Sequence, residues 1–418
     1  MRPERFPVVV AGGGPAGFMA AICAAEAGVA GVQLLEATPE PLHKVRISGG
    51  GRCNVTHACW DPRELVGFYP RGQRALRGPF SRFAAGDAVA WFDAHGLELV
   101  EEADGRLFPR SNRSSSVVEL LRRAAQRAGV SLHTGVALQA AAVQAPGPAG
   151  DVAFALQCRG AGPCQAERLV LATGSHPSGR RLAAGLGHRI VPPVPSLFTL
   201  ALAGDPLREL AGVVADPVAL SLELPDGSRF QQLGPVLITH WGLSGPATLR
   251  LTAFAARALQ ASGYRGRLRL DWSGGRSERQ LEELFQQTRT AQARRQLGSW
   301  RPWPELSRRL WLHWLAQAGV EPSGRWADLS KAQQRQLIHD LRGSSHTVSG
   351  RGPFGEEFVT AGGVDLGEVN LARMESRLHP GLHLVGELLD VDGVTGGFNF
   401  QHCWSSGWIA GQALAGAL

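Results

Sequence analysis

Within the first forty residues the spacing of apolar positions changes character three times. Val8, Val9 and Val10 form an unbroken β-branched run, the pattern of a parallel strand buried on both faces. Residues 15–26 are almost all small and apolar, with Glu26 the lone charge, and read as a buried helix. Residues 32–36, VQLLE, read as a second strand that ends in an acid.

Further along, residues 80–95 have a helical apolar rhythm stopped by Gly96, and LELVEE and GRLFPR read as strands. Ser116 and Glu119 suggest a capping box that opens the helix VVELLRRAAQRAG. SLHTGVALQAAAV reads as one strand, PGPAG as a turn, and DVAFALQC with ERLVLATG as returning strands of a small meander. From about residue 190 the proline-rich VPPVPSLFTL marks a crossover. Short alternating strands follow over 197–272, with Asp226-Gly227 as a hairpin turn and RGRLRLDW as a half-exposed strand. Residues 276–342 turn helical: Leu306, Leu310 and Trp314 recur every four residues, and Trp311 and Leu315 widen the stripe. Trp303, Trp311 and Trp314 are expected in a core rather than around a ligand. The β character of HTVSG and EEFVTAGGVDL precedes LHLVGELLD, a glycine pair at Gly396 and Gly397, and a C-terminal helix starting near Asn399.

The chemistry concentrates where these elements meet. Gly12, Gly14 and Gly17 supply G-x-G-x-x-G between the first strand and helix: a tight turn, close approach to a pyrophosphate, and close packing of helix on strand. Pro15 begins the helix without losing a useful N–H, and the helix N-terminus offers donors and a positive dipole end to phosphate. Glu36, about 20 residues on, accepts from ribose hydroxyls and would repel a 2′-phosphate. These features predict an adenine-dinucleotide site. A second cluster, Gly49, Gly50 and Gly51 before Arg52 and Asn54, exposes backbone N–H groups to an anion or a flat ring. Thr173 and Gly174 close a strand at the ligand edge of the sheet. LHLVGELLD followed by a glycine loop and helix mirrors the N-terminal arrangement, so one dinucleotide is expected between both chain ends.

Size and composition narrow the setting. The chain has 418 residues, 44% apolar and 19% charged, enough for two or three domains. Its net charge of +7 and pI near 9.6 invite a nucleic-acid partner, but Lys44 and Lys331 are the only lysines and the arginines are scattered without a run, so none is expected. The six cysteines contain no C-x-x-C, which suits a reducing cytoplasm and predicts no metal site. Cys53 and Cys59 are six positions apart, a poor spacing for a redox pair. Glycines and a proline interrupt the N-terminal apolar run too early for a membrane span.

The motifs AGGGPAGFMAA, ISGGGRCNVT, GRLFP, ATG, THWGLSGPA, VTAGGVDL, MES and PGLHLVGELLDVDGVTGGFNFQ, spread over residues 11–401, resemble the BaiN/YhiN-like FAD-dependent oxidoreductases, a group also described as aminoacetone-oxidase-like. The resemblance implies an α/β fold: a glutathione-reductase-like FAD-binding Rossmann domain from residues 1–192 and 362–418, an inserted β-rich domain from 193–275 and 343–361, and a nested helical subdomain from 276–342. It implies tightly bound FAD and, with no second dinucleotide unit in the sequence, at most transient NAD(P)H. Gly12, Gly14, Pro15, Ala16 and Gly17 would serve the pyrophosphate, Glu36 and Ala37 the adenosine, and Val136 the adenine. Lys44 and Ser48, Gly49, Gly50, Gly51, Arg52, Cys53 and Asn54 would run along the cofactor, flanked by Thr173 and Gly174. Gly386, Glu387 and Asp390 would meet the ribityl chain and phosphate, and Gly397, Asn399, Phe400 and Gln401 the pyrimidine edge of the flavin. The family often has Gly at Ser175, Lys at Arg377 and Tyr at Phe398.

The expected activity is flavin oxidoreduction, with hydride from NAD(P)H or an organic donor passed to a small molecule or oxygen. Side-chain candidates for proton transfer are His240, Ser244 and His402, a structural hydrogen-bonding role being favoured for His240 and His402. The alternative is an FAD-dependent RNA-modifying or RNA-binding protein, raised by the basic pI.

Overall fold

The computed structural model describes residues 3–144, 153–352 and 359–417. The chain divides into two compact units, one formed by Met1–Pro193 with Val359–Leu418 and the other by Val194–Phe358.

In the first unit the Val8–Val10 run lies within the strand Glu4–Ala11, which pairs in parallel with Val32–Glu36 on one side and Cys164–Leu171 on the other. Ser131–Thr134 and Leu382–Leu384 extend this parallel core outward. The order Leu382–Leu384, Cys164–Leu171, Glu4–Ala11, Val32–Glu36, Ser131–Thr134 places strands from both chain ends in one sheet. Helix Pro15–Glu26 is buried over most of its length and packs against the C-terminal helix Phe398–Leu414. Glycines set that approach: a Cβ on Gly407 would stand 2.6 Å from the carbonyl oxygen of Ala16, and one on Gly411 2.6 Å from the Cβ of Cys23.

Several local expectations change. SLHTGVALQAAAV is two strands, Ser131–Thr134 and Ala137–Gln144, because Gly135 turns the chain at φ 72°. The second of these joins Ala153–Arg159 and Cys164–Leu171 as an antiparallel meander. The PGPAG turn lies outside the described residues, as does the EEF of EEFVTAGGVDL. The helix expected to open with a Ser116–Glu119 box begins earlier, spanning Ser114–Arg127 with Arg113 as N-cap. Ser116 is already inside its first turn and bonds Ser111, while Ser114 donates to the Arg46 carbonyl.

In the second unit an antiparallel sheet runs Ser344–Val348, Gly266–Asp271, Val214–Glu223, Arg229–Ile238, Gly242–Ser244, Leu200–Ala201, Gly350–Arg351. Asp226-Gly227 makes the hairpin between its two ten-residue strands. Helices Glu278–Ala291, Arg308–Gln317 and Lys331–Gly343 share a hydrophobic cluster with the sheet residues Leu220, Leu222, Leu268 and Leu270. Leu306, Leu310, Trp311, Trp314 and Leu315 all lie in it, and Trp311 stacks on Trp326 with ring centres 6.0 Å apart.

Candidate cofactor site

The glycine turn is built on close backbone contact. Gly12 sits at φ 121°, and a Cβ there would stand 2.3 Å from the carbonyl oxygen of Ala172. A Cβ on Gly17 would stand 1.9 Å from the carbonyl oxygen of Gly12. Gly14 is different: nothing lies within 4 Å of its missing Cβ. It faces open space at the start of helix Pro15–Glu26, whose first turn has no side-chain cap and so keeps its N–H groups for a ligand.

Glu36 follows at the end of the neighbouring strand. Its Oε2 accepts from the Gly13 N–H at 2.9 Å, and its Oε1 accepts from the Thr38 N–H and hydroxyl, both at 2.7 Å. The carboxylate is therefore fixed in place before any ribose meets it.

Two cavities meet at this turn. One, of about 410 Å³, is lined by Gly12, Gly14, Pro15, Ala16, Glu36, Lys44, Thr173, Gly174, Gly386, Glu387 and Phe400, among others. The other, of about 520 Å³, is lined by Ala37, Val136 and neighbouring residues. Gly12, Glu36, Thr38, Thr173 and His176 border both, so together they form one elongated groove.

The groove suits a dinucleotide. Thr173 borders both cavities, and its buried hydroxyl has no partner among the described residues. Among the described residues Lys44 is the sole Lys or Arg lining the first cavity, and its Nζ lies 2.5 Å from Glu387 Oε2 and 3.3 Å from Ser175 Oγ. A diphosphate entering beside the helix N-terminus would thus meet one lysine ammonium and a row of backbone donors.

From the C-terminal segment Gly386, Glu387 and Phe400 line the first cavity, while Gly397, Asn399 and Gln401 line neither. Gly386, at φ 65°, donates its N–H to Ser406 Oγ at 3.0 Å, and its carbonyl accepts from His402 Nε2 at 3.2 Å. Both backbone polar groups of Gly386 are thereby fastened to helix Phe398–Leu414. Gly397 is the N-cap of this helix at φ 94°, and a Cβ on it would lie 2.8 Å from Asn54 Oδ1. The side chains of Asn399 and Gln401 are engaged locally. Asn399 closes on the Gly393 backbone at 2.8 and 2.9 Å, and the buried Gln401 amide accepts from Thr56 at 2.6 Å and donates to Ser405 at 3.0 Å. What remains for a ligand at this helix start is backbone N–H.

Other candidate residues lie apart from the groove. Gly17 serves packing beneath the turn. Ser48 breaks its helix at ψ 152°, and Gly49, Gly50 and Gly51 follow at positive φ, with open space around Gly50 and Gly51. Arg52 ion-pairs with Glu102, donates to Asn112 and covers the Phe108 ring at 3.9 Å. Cys53 is buried, and desolvation pushes its thiol up to about 12. Cys59 is likewise free and pushed up to about 11 by burial; the strand Thr56–His57, not a helix, separates the two. Asp390 donates its N–H to the Val364 carbonyl and lines neither cavity. His240 is exposed in the second unit, its carbonyl accepting from Arg208, and Ser244 pairs with Leu237 across strands there. His402 is buried, and desolvation lowers it to about 4, so it stays neutral.

Three contributors had no sequence signal of their own: the Lys44–Glu387 pair, the Ser406 bond to Gly386, and a buried Arg71–Asp392 ion pair that ties down the loop before Gly396. The glycines at 407 and 411 were a readable one, since glycine within a helix points to close packing.

Fold and site together define a Rossmann-type FAD-binding protein. The chain belongs to the family described as HI0933-like protein Rossmann domain, which matches residues 6–413, and is an FAD-dependent oxidoreductase of that family. It is 31% identical to the 3-dehydro-bile acid delta(4,6)-reductase of Clostridium scindens, over 97% of this chain and 98% of that protein. It is 28% identical to the ribosomal RNA dihydrouridine synthase of Escherichia coli, over 99% of each chain. Among solved structures it resembles the 3-ketosteroid delta1-dehydrogenase of Sterolibacterium denitrificans with a TM-score of 0.52 at 13% identity, covering 99% of this chain and 100% of that one, a likeness of fold. Among the described residues no helix is long and apolar enough to cross a membrane.

Proposed function

We propose that this protein is a reductase that takes hydride from NAD(P)H and delivers it to a carbon–carbon double bond conjugated with a carbonyl in a small molecule. The observation that carries the cofactor half is the single groove bounded by Gly12 and Glu36 from one chain end and Gly386, Glu387 and Phe400 from the other. When bound there, FAD supplies the relay of hydride between donor and acceptor. The chain's own part is to hold it: Lys44 and the helix N-terminus at the diphosphate, Glu36 at the adenosine ribose, Glu387 at the ribityl hydroxyls. The start of helix Phe398–Leu414 sets positive potential at the pyrimidine edge, which favours the anionic reduced ring.

The acceptor class is supported by the names of the relatives. A delta(4,6)-reductase of a 3-dehydro steroid and a dihydrouridine synthase both saturate an alkene in conjugation with a carbonyl. Such a reduction adds hydride to the carbon β to the carbonyl and a proton to the α carbon, with the two electrons coming from the nicotinamide.

Anaerobic addition of NADH or NADPH to the purified full-length protein, followed by a cyclic enone, tests this. We expect the flavin to bleach with one of the two donors and to recolour on enone addition. A flavin bleached by neither donor contradicts the nicotinamide step, and one recoloured by oxygen but by no conjugated alkene contradicts the acceptor class.

A second reading places the conjugated alkene in a uracil of RNA. Besides the dihydrouridine synthases, it is favoured by the second unit, where residues 194–358 carry 20 Arg and Lys against 15 Asp and Glu. RNA affinity that falls steeply with salt supports it, and absence of binding at low salt removes it.

A further inference from the structure

The larger cavity of the groove holds more than the adenosine ribose requires. Its wall includes Gln139, Arg159 and Arg181, and none of these three side chains has a hydrogen-bonding or ionic partner among the described residues. Among the described residues the only carboxylate lining it is Glu36, whose oxygens accept from Gly13 and Thr38. Two arginines without a side-chain partner therefore border a cavity whose one carboxylate is already held by three neutral donors.

The backbone around them is also irregular at this point. Along the meander Leu138 faces Cys158 but Ala140 faces Gln157, so Gln139 is the extra residue of a β-bulge. Bulges re-aim a side chain and release its backbone from the ladder. Arg159 faces Ala137 across the same pair of strands, and Arg181 comes from helix Pro177–Gly185 on another part of the wall.

The diphosphate does not explain these groups, because Gly13, Gly14 and Lys44, which would meet it at the helix start, line only the neighbouring cavity. What FAD presents beyond the adenosine ribose is a purine, with a π face and an edge bearing a donor beside an acceptor. Guanidinium groups stack on such faces, and a glutamine amide matches the adenine N6/N7 edge with two hydrogen bonds. We infer that Arg159, Arg181 and Gln139 form an adenine slot, the arginines gripping the base by its face and Gln139 reading its edge. This rests on the FAD reading and adds to it a reason for the chain to prefer the dinucleotide over FMN.

The test is competition of ADP, GDP and UDP against FAD on the full-length protein, since the three share ribose and diphosphate and differ in the base. The wild-type chain is expected to bind ADP about tenfold more tightly than UDP. Each Arg→Ala change at 159 or 181 is expected to weaken FAD and ADP about two- to fivefold, the range of an exposed cation–π contact, with little change for UDP. Gln139→Ala is expected to narrow the preference for ADP over GDP. All three residues are exposed, so unchanged melting of the variants shows that the loss is not unfolding. Equal weakening of ADP and UDP would make the arginines a bulk charge effect and overturn the slot, as would unchanged ADP affinity in the double variant. A wild-type protein that takes up no FAD at all would instead remove the cofactor reading beneath it.

Discussion

In the unit formed by the two chain ends, missing side chains decide the structure; in the unit formed by residues 194–358, large ones do. Around the glycine turn a Cβ at Gly17 or Gly12 would overlap backbone, and Gly407 and Gly411 let the first and last helices touch. Trp272, Phe285, Trp311, Trp314 and Trp326 fill the other unit's core. Backbone-to-backbone contact tolerates no substitution and yields one geometry, whereas an apolar cluster keeps its fold through many volume-conserving exchanges. The first arrangement suits a cofactor whose shape is constant.

The sharpest break of this contrast is Gly17→Ala. With its Cβ 1.9 Å from the Gly12 carbonyl oxygen, the helix must move off the turn. We expect purified protein without flavin and a markedly lowered melting temperature, read by absorbance and calorimetry. Trp311→Ala attacks the other unit. Its ring is fully buried and its Nε1 donates to the Leu297 carbonyl at 2.7 Å, so a loss of about 3–5 kcal/mol is expected by denaturant titration. The flavin affinity of the protein still folded should stay unchanged.

A smaller effect comes from pH. His402 is lowered to about 4 in the folded chain, against 6.5 as its ordinary value, because it is desolvated beneath the Gly386 turn. Between those values the unfolded chain binds more protons, so the His402 contribution is complete above pH 6.5 and is lost as pH falls toward 4, by up to roughly 3 kcal/mol. His402→Gln should flatten the stability curve across that window. Least of all, Ser330→Ala removes the side-chain cap on Gln333 N–H and should cost about 1 kcal/mol in the second unit, with flavin content unaffected.

Much of the first unit was legible because its chemistry is written in glycines at fixed spacing, and a glycine motif constrains backbone directly. Gly12 to Glu36 and Gly386 to Phe400 meet in the groove from positions about 350 residues apart because two strand-turn-helix units share one parallel sheet. Side-chain partners at long separation were not legible: nothing local to Lys44 announces Glu387, 343 positions away, or to Arg71 its buried Asp392. Helix and strand ends were missed where a neighbour outweighed local propensity. Ser114 turns to the Arg46 carbonyl instead of capping its own helix, and Gly135 splits what alternation alone reads as a single strand. The bulge at Gln139 escaped for the same reason, since register belongs to the pair of strands.

Whether one FAD is gripped from both chain ends is read most directly by titrating the purified protein with FAD. One FAD per chain is expected, with affinity lowered both by Glu36→Ala at the N-terminal grip and by Gly397→Ala at the C-terminal one, where the new Cβ would press on Asn54 and Thr56. A protein that takes up no FAD, or whose affinity is indifferent to either substitution, contradicts it.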